Sequence, residues 1–258
     1  MKIRQGLVCF GLLLLMLALS ASGIDGGNPK YDRHGALNYL QHPERGKTVH
    51  FIFTADSMFE GGEYALDVLR DFNVKASFFF TGNFLRDTAA NHRVIDRVLR
   101  EGHYLGGHGD RHILLADWDE NRTMLASADS AVVDMQRCYS ELSKSGVDTL
   151  TSRFVVPPYE WYNQHHIQGY RHAGFIPVTP SPGLLTYRDY TTPDMQDYYS
   201  SDTILSNFMD NLTADNLDGC FILIHLGTQD IRTDKFYHHL PEILKALQSR
   251  GYTPVALR

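Results

Sequence analysis

The stretch TVHFIFTADSMFEGGEYALDVLRDFNVKASFFF, residues 48–80, decides the fold. Residues 49–53 are a short run of β-branched and aromatic side chains. Residues 63–72 place Tyr64, Leu66, Val68, Leu69 and Phe72 at helical spacing, and residues 76–80 are a second apolar run. A strand, a helix and a strand in about thirty residues make a βαβ unit, whose two strands lie parallel.

The alternation continues outward from this unit. Strand-like runs recur at 104–105, 154–156, 176–178, 221–224 and 253–257. Helical spacing covers 93–100, 120–142, 164–172, 203–212 and 236–249. Seven strands alternating with helices predict a parallel sheet with the helices outside it. No shift in composition divides the chain, so one domain is expected over residues 48–258. A closed or nearly closed α/β barrel fits this count, with an open doubly wound sheet as the alternative. No Gly-x-Gly-x-x-Gly follows the first strand, which argues against a dinucleotide-binding fold.

The segments before residue 48 read differently. Residues 1–23 carry Lys2 and Arg4, then an apolar run, then the small residues Ala18, Ser20, Ala21 and Gly23. That is the layout of a secretory signal peptide. The run is shorter than the roughly 20 residues that span a bilayer comfortably, so cleavage near residues 21–24 is expected. The mature chain is then secreted or periplasmic, with no stable membrane insertion. Residues 24–47 are polar and turn-rich and read as a leader wrapping the domain without regular structure. A net charge of −6 with no basic stripe gives no reason to expect a nucleic-acid partner. Beyond the signal segment the cysteines are Cys138 and Cys220, too few for a disulfide scaffold, and unpaired thiols are expected.

In α/β barrels, chemistry gathers in the loops at the C-terminal ends of the strands. Here those loops hold Asp56 after the first strand and His108 and His112 after the third. They also hold Pro157-Pro158-Tyr159-Glu160-Trp161-Tyr162 after the fourth and His225 after the apolar run 221–224. Two histidines four apart share one face if they lie on a helical turn, and imidazole is a common ligand of zinc-like ions. Asp56 is the natural third ligand, leaving a coordination position open for water or substrate. Its alternative is a cap or turn carboxylate. Tyr159, Trp161 and Tyr162 either stack on sugar rings or pack the barrel top.

Taken together, these residues resemble the polysaccharide deacetylases, carbohydrate esterase family four. Glu101-Gly102-His103-Tyr104-Leu105-Gly106-Gly107-His108-Gly109-Asp110-Arg111-His112 is similar to the family segment Gly-His-Glu-Ile-Gly-Asn-His-Thr-x-x-His, whose last two histidines bind metal. Val74-Lys75-Ala76-Ser77-Phe78-Phe79 resembles Val-x-Ala-Thr-Phe-Phe. The segment from Phe221 to His225, with Leu240-Pro241-Glu242 and Gly251-Tyr252, resembles the end of the domain. The resemblance implies a distorted seven-stranded (β/α) barrel. It also implies a divalent metal, expected to be zinc, held by Asp56, His108 and His112, with His225 as general acid. Pro158, Tyr159 and Trp161 would contact an acetylated glycan, and the backbone N–H of Tyr159 would help hold the oxyanion.

The chain departs from the family where the base should stand. The family motif Thr-Phe-Asp-Asp-Gly uses its first aspartate as base and its second as metal ligand; here Thr54-Ala55-Asp56-Ser57 holds one aspartate. Aligning the threonines puts Asp56 at the base position and Ser57 at the metal position. A shift by one makes Asp56 the ligand, the reading preferred here because two histidines alone hold a metal poorly. Glu160 is then the candidate base. The family's Arg-Pro-Pro-Tyr is Val156-Pro157-Pro158-Tyr159, without the arginine that orients the base, and no Asp-x-x-Asp-Trp segment is found. The expected function is an exported metal-dependent deacetylase of acetylated polysaccharide or oligosaccharide. The alternative is a catalytically impaired glycan-binding domain on the same barrel.

Overall fold

The structure is a computed structural model that describes residues 24–258; the signal-peptide reading of residues 1–23 lies outside them. Nine strands form one sheet: β1 (Asn28–Tyr31), β2 (Leu37–Gln41), β3 (Thr48–Ala55), β4 (Ser77–Phe80), β5 (Tyr104–Gly107), β6 (Phe154–Val155), β7 (Ile176–Pro177), β8 (Cys220–His225) and β9 (Thr253–Pro254). The order is β1-β2-β8-β3-β4-β5-β6-β7, with β9 against β3. All pairs from β8 to β7 along this path are parallel.

Seven of these strands curl into the distorted barrel. Val178, just past β7, bridges Leu37 of β2, and the Thr179 N–H donates to the Leu37 carbonyl at 2.9 Å. That bridge joins the two ends of the path β2-β8-β3-β4-β5-β6-β7. The expected count therefore holds, but one member differs. The leader is not irregular: β1 and β2 form an antiparallel pair, and β2 enters the barrel antiparallel to β8. Leu37 and Leu40 of β2 are both fully buried in one cluster, with an irregularity in the pairing to β1 between them, so no simple alternation marks the strand. The run expected at 253–257 pairs with β3 only at Thr48 and Val49. Leu257 instead plugs the barrel, its N–H donating to Ser77 Oγ at 3.0 Å.

The helices are α1 (Gly62–Asp71), α2 (Gly82–Arg86), α3 (Ala89–Arg100), α4 (Ala128–Lys144), α5 (Gln164–His172), α6 (Ser201–Thr213) and α7 (Leu240–Ser249). The helix expected at 120–142 starts only at Ala128. Ser127 caps it by accepting from the Ser130 N–H, and Met124 and Leu125 stay exposed ahead of the cap. Among the described residues, no helix is long and apolar enough to cross a membrane. Cys138 and Cys220 are free, buried thiols, as expected.

Two apolar clusters follow the two faces of the sheet. One holds Phe51, Phe53, Phe78, Phe80, Leu105, Ile222 and Ile224 together with the helices' buried stripes. The other contains no helix residue and holds Leu37, Ile52, Phe79, Phe154, Val156, Phe221 and Leu223, so it is the barrel interior. Side chains alternate along a strand. The interior parity of β3, β5, β6 and β8 therefore extends to Asp56, His108, Val156 and His225, which meet at the C-terminal mouth.

Candidate active site at the barrel mouth

The histidine pair meets, but not through a helical turn. His108 directly follows β5, and the chain then turns through Gly109 at φ 82° and His112 at φ 51°. Gly109 supplies the left-handed conformation at little cost. The loop is pinned from three sides. Gly109 and Asp110 carbonyls accept from Gly82 and Asn83 N–H groups at 3.0 Å, and Asp134 accepts from the Asp110 and Arg111 N–H groups at 2.8 and 3.3 Å. Arg86 binds the buried Asp110 carboxylate at 2.5 Å. Gly106 and Gly107 serve close packing: a Cβ on Gly106 would stand 2.5 Å from the Phe154 carbonyl oxygen.

The pair presents a free ring nitrogen. His108 Nδ1 lies 2.9 Å from the Val156 carbonyl, which can only accept, so the proton is on Nδ1 and Nε2 offers a lone pair. His112 Nε2 lies 3.1 Å from it. Burial, and the neighbouring His112, push the His108 imidazole well below its ordinary range. Burial likewise lowers His112 to about 4, against the opposing pull of Asp56. Both rings are thus neutral near pH 7, the form that binds metal.

The carboxylates stand around this pair unequally. Asp56 Oδ1 accepts from Thr81 Oγ1 at 2.7 Å and from Asn83 Nδ2 at 3.2 Å. Thr81 also caps α2 through the Phe84 N–H, so one residue fixes both the helix and the carboxylate. Ser57 is exposed. Glu160 Oε1 lies 3.9 Å from His108 Nε2 and has no hydrogen-bond partner. Burial, with Asp189 adding to it against the pull of His225, raises Glu160 to about 7. Among the described residues, no three His, Cys, Asp or Glu side chains already close around one point. The donor chemistry nevertheless suits a zinc-like ion: two neutral imidazoles and one buried, unpartnered carboxylate oxygen.

His225 reaches the same mouth. Its Nδ1 donates to Asp189 Oδ1 at 2.5 Å, and its N–H donates to Asp189 Oδ2 at 2.9 Å. Burial pulls the imidazole down, but the charge and hydrogen bond of Asp189, with Glu160 behind them, leave it raised. Sequence reasoning missed Asp189. It lies 36 residues before His225, at the end of a single 3-10 turn (Thr186–Arg188), with no local pattern that marks it.

The aromatic loop divides into buried and open parts. Pro158 is buried beneath Gly109, and Tyr162 is buried with its hydroxyl donating to Asp32 at 2.9 Å. Tyr159 packs on His112 at 4.3 Å between ring centres and remains 43% exposed. Trp161 is engaged: the Arg122 guanidinium lies 3.7 Å from its ring centre, Trp118 packs at 5.1 Å, and its Nε1 donates to the Asp117 carbonyl at 2.8 Å. The open indole is Trp118, 58% exposed, which sequence reasoning did not single out. Backbone hydrogen bonds in this turn run from Glu160 to Pro157 and from Trp161 to Pro158, leaving the Tyr159 N–H outside them.

The model of the polysaccharide deacetylase family matches residues 42–178. The chain is 26% identical over 229 residues to an uncharacterised 30.6 kDa protein of Geobacillus stearothermophilus, covering 88% of this chain and 74% of that one. It is 25% identical over 207 residues to a chitin deacetylase of a Pestalotiopsis species, covering 77% of this chain and 60% of that one. Its fold is shared with a family-four carbohydrate esterase pseudoenzyme from Bacillus anthracis (TM-score 0.62, 16% identity, 90% of this chain and 69% of that one). The family match spans more than half of the sequence and runs from β3 to β7, through both histidines and the Pro157-Pro158-Tyr159 turn. The chain belongs to the polysaccharide deacetylase family.

Proposed function

We propose that the protein is a metal-dependent hydrolase that removes acetyl groups from an acetylated glycan, and that it acts outside the cytoplasm after loss of residues 1–23. The observation that carries this reading is the placement of an imidazole pair and a carboxylate-backed imidazole, His225–Asp189, at one barrel mouth. His108 and His112 would hold a divalent ion, with zinc favoured by the nitrogen-rich donor set. When bound, the metal supplies Lewis-acid polarisation of the acetyl carbonyl and activation of water.

The protein's own groups supply the rest. A carboxylate, Asp56 or Glu160, takes the proton of the attacking water. The N–H of Tyr159 is free to donate to the oxyanion that develops on the carbonyl oxygen. His225, held by Asp189 with its Nδ1 proton committed, returns a proton through Nε2 to the leaving nitrogen or oxygen. Tyr159 and Trp118 give the sugar exposed aromatic surface beside the histidines.

A second reading has specific support. The arginine of the family turn is replaced by the buried Val156, and the position of the family's metal aspartate by the exposed Ser57. A barrel that binds glycan without turnover would follow from those losses. The experiment is acetate release by zinc-loaded protein on a panel of N- and O-acetylated oligosaccharides, with binding to each measured in parallel. Acetate release that chelator abolishes supports the hydrolase. Binding without release on every member supports the glycan-binding domain.

A further inference from the structure

We propose that Glu160, from the turn after β6, is the third protein ligand of the metal at His108 and His112, and that Asp56 is thereby left free to act as the base. This rests on the metal-dependent reading above. It reassigns the ligand that the first strand would ordinarily supply.

Asp56 is already occupied. Its Oδ1 takes hydrogen bonds from Thr81 Oγ1 and Asn83 Nδ2. Neither of its oxygens is within 4.0 Å of a nitrogen of His108 or His112, whereas Glu160 is within that distance of His108. Ser57, the residue that could take the metal position beside Asp56, is exposed. Glu60, the other acid of the loop after β3, is engaged with the Thr228 N–H and Lys235, so Asp56 is the one carboxylate there left for two tasks.

Glu160 has the properties of a ligand awaiting a cation. Its side chain is 10% exposed, and its Oε1 is buried without any hydrogen-bond donor. An unpaired buried carboxylate oxygen costs free energy that a bound cation would recover. In a tetrahedral site with bonds of about 2.1 Å, ligand atoms lie about 3.4 Å apart. The two separations here, 3.1 Å between the imidazole nitrogens and 3.9 Å between His108 and Glu160, fall on either side of that value. Glu160 is within 4.0 Å of His108 but not of His112, so closing the site needs Glu160 to move toward the His112 ring.

The backbone is bent to aim this side chain. Tyr159 and Glu160 are consecutive non-glycine residues in the left-handed region, at φ 60° and 49°. A side chain crowds the backbone in that region, so two such residues in succession are disfavoured in an L-chain. The turn places Glu160 inward and Tyr159 at the surface, where an ordinary turn would leave an acid in solvent.

The test is zinc affinity by calorimetry on the metal-stripped protein and on Glu160→Ala, Glu160→Gln and Asp56→Asn, with cobalt(II) absorption as a second readout. Both Glu160 variants should lose more than about 100-fold in zinc affinity, beyond the loss seen when an outer hydrogen-bond partner is removed. Their cobalt spectra should change, while Asp56→Asn keeps the affinity and spectrum of the unmodified protein. Glu160→Gln, close to isosteric, guards against misfolding, checked by circular dichroism. If Asp56→Asn loses the metal while the Glu160 variants keep it, the ligand is Asp56 and the proposal is overturned. If the unmodified protein binds zinc no better than a His108→Ala, His112→Ala double variant, the metal-dependent reading fails first and the ligand assignment falls with it.

Discussion

Asp189 accepts twice from His225, from its ring Nδ1 at 2.5 Å and from its backbone N–H at 2.9 Å. The two bonds fix the ring's position, its tautomer and its proton affinity from one carboxylate. Because Nδ1 is committed, Nε2 is the nitrogen that faces the mouth. Replacing Asp189 by Asn removes the negative charge and can reverse the tautomer, which is costly for an imidazole acting in proton transfer. Asp189→Asn should lower kcat by about 10²-fold or more while zinc content stays unchanged. The pH profile gives a second check. As a general acid His225 must be protonated, and Asp189 raises its pKa, so activity is lost as pH rises through that raised value. In the Asn variant the alkaline limb should move to lower pH. An unmoved limb would mean that another group donates the proton.

Trp118, not Trp161, carries the exposed aromatic face of the mouth. Arg122 and Trp118 both pack on Trp161, whose Nε1 is tied to Asp117. A sugar ring stacked on an exposed indole gains about 0.5–1.5 kcal/mol beyond area burial if it behaves as aromatic pairs do. Trp118→Ala should therefore raise KM for an acetylated oligosaccharide by up to about tenfold, with kcat little changed. Trp161→Ala should reduce thermal stability as well, because it strips a support from Arg122 and Trp118. Equal KM values for Trp118→Ala and the unmodified protein would remove Trp118 from the binding surface.

The β3–α1–β4 unit was legible because its strands are continuous apolar runs, buried on both faces, joined by a helix that buries one stripe, and it carried the barrel with it. Strand β2 was not, because it lies in a turn-rich segment, pairs mainly with β1 outside the barrel, and joins the barrel through one register pair with β8 and one bridge to Val178. Asp56, His108 and His225 could be placed together from the sequence because each stands at or just past the C-terminal end of an apolar strand run. Asp189 and Trp118 could not, because each sits in a stretch whose course only tertiary packing sets. The two imidazoles, expected to meet on a helical turn, meet instead through a left-handed turn at Gly109.

Gly106 tests how tightly that pair depends on strand packing. A methyl group there would meet the Phe154 carbonyl oxygen at 2.5 Å and the Phe79 and Tyr104 rings at 2.9 Å. The nearest neighbour is backbone of β6 and cannot rotate away, so β5 must move. Gly106→Ala should cost about 1–3 kcal/mol by urea denaturation. It should also weaken zinc binding, because His108 begins two residues on and its Nδ1 reaches Val156 of the same neighbouring segment. A denaturation midpoint equal to that of the unmodified protein would show that β5 and β6 have slack that the structure does not display.

The barrel floor predicts a loss of stability in acid that is independent of the mouth. His50 points into the interior from β3, fully buried, with Nε2 donating to the Leu40 carbonyl at 2.9 Å and its ring 5.0 Å from that of Phe221. Burial lowers its pKa to about 4, against the upward pull of the Leu40 carbonyl. The folded state thus holds the ring neutral, whereas the unfolded chain protonates it near 6.5. For a base whose folded pKa is depressed, the unfolded state binds the extra proton. The contribution is therefore fully present above about pH 6.5 and is lost as pH falls toward about 4. The difference between those two pKa values corresponds to about 3 kcal/mol. His103, lowered to about 4 by burial and by Lys75, adds to the same slope. Urea midpoints measured from neutral pH down to about pH 4 should fall more steeply for the unmodified protein than for His50→Gln, which has no proton to gain in that range. Parallel slopes would show that His50 is already protonated, or already hydrated, in the folded barrel.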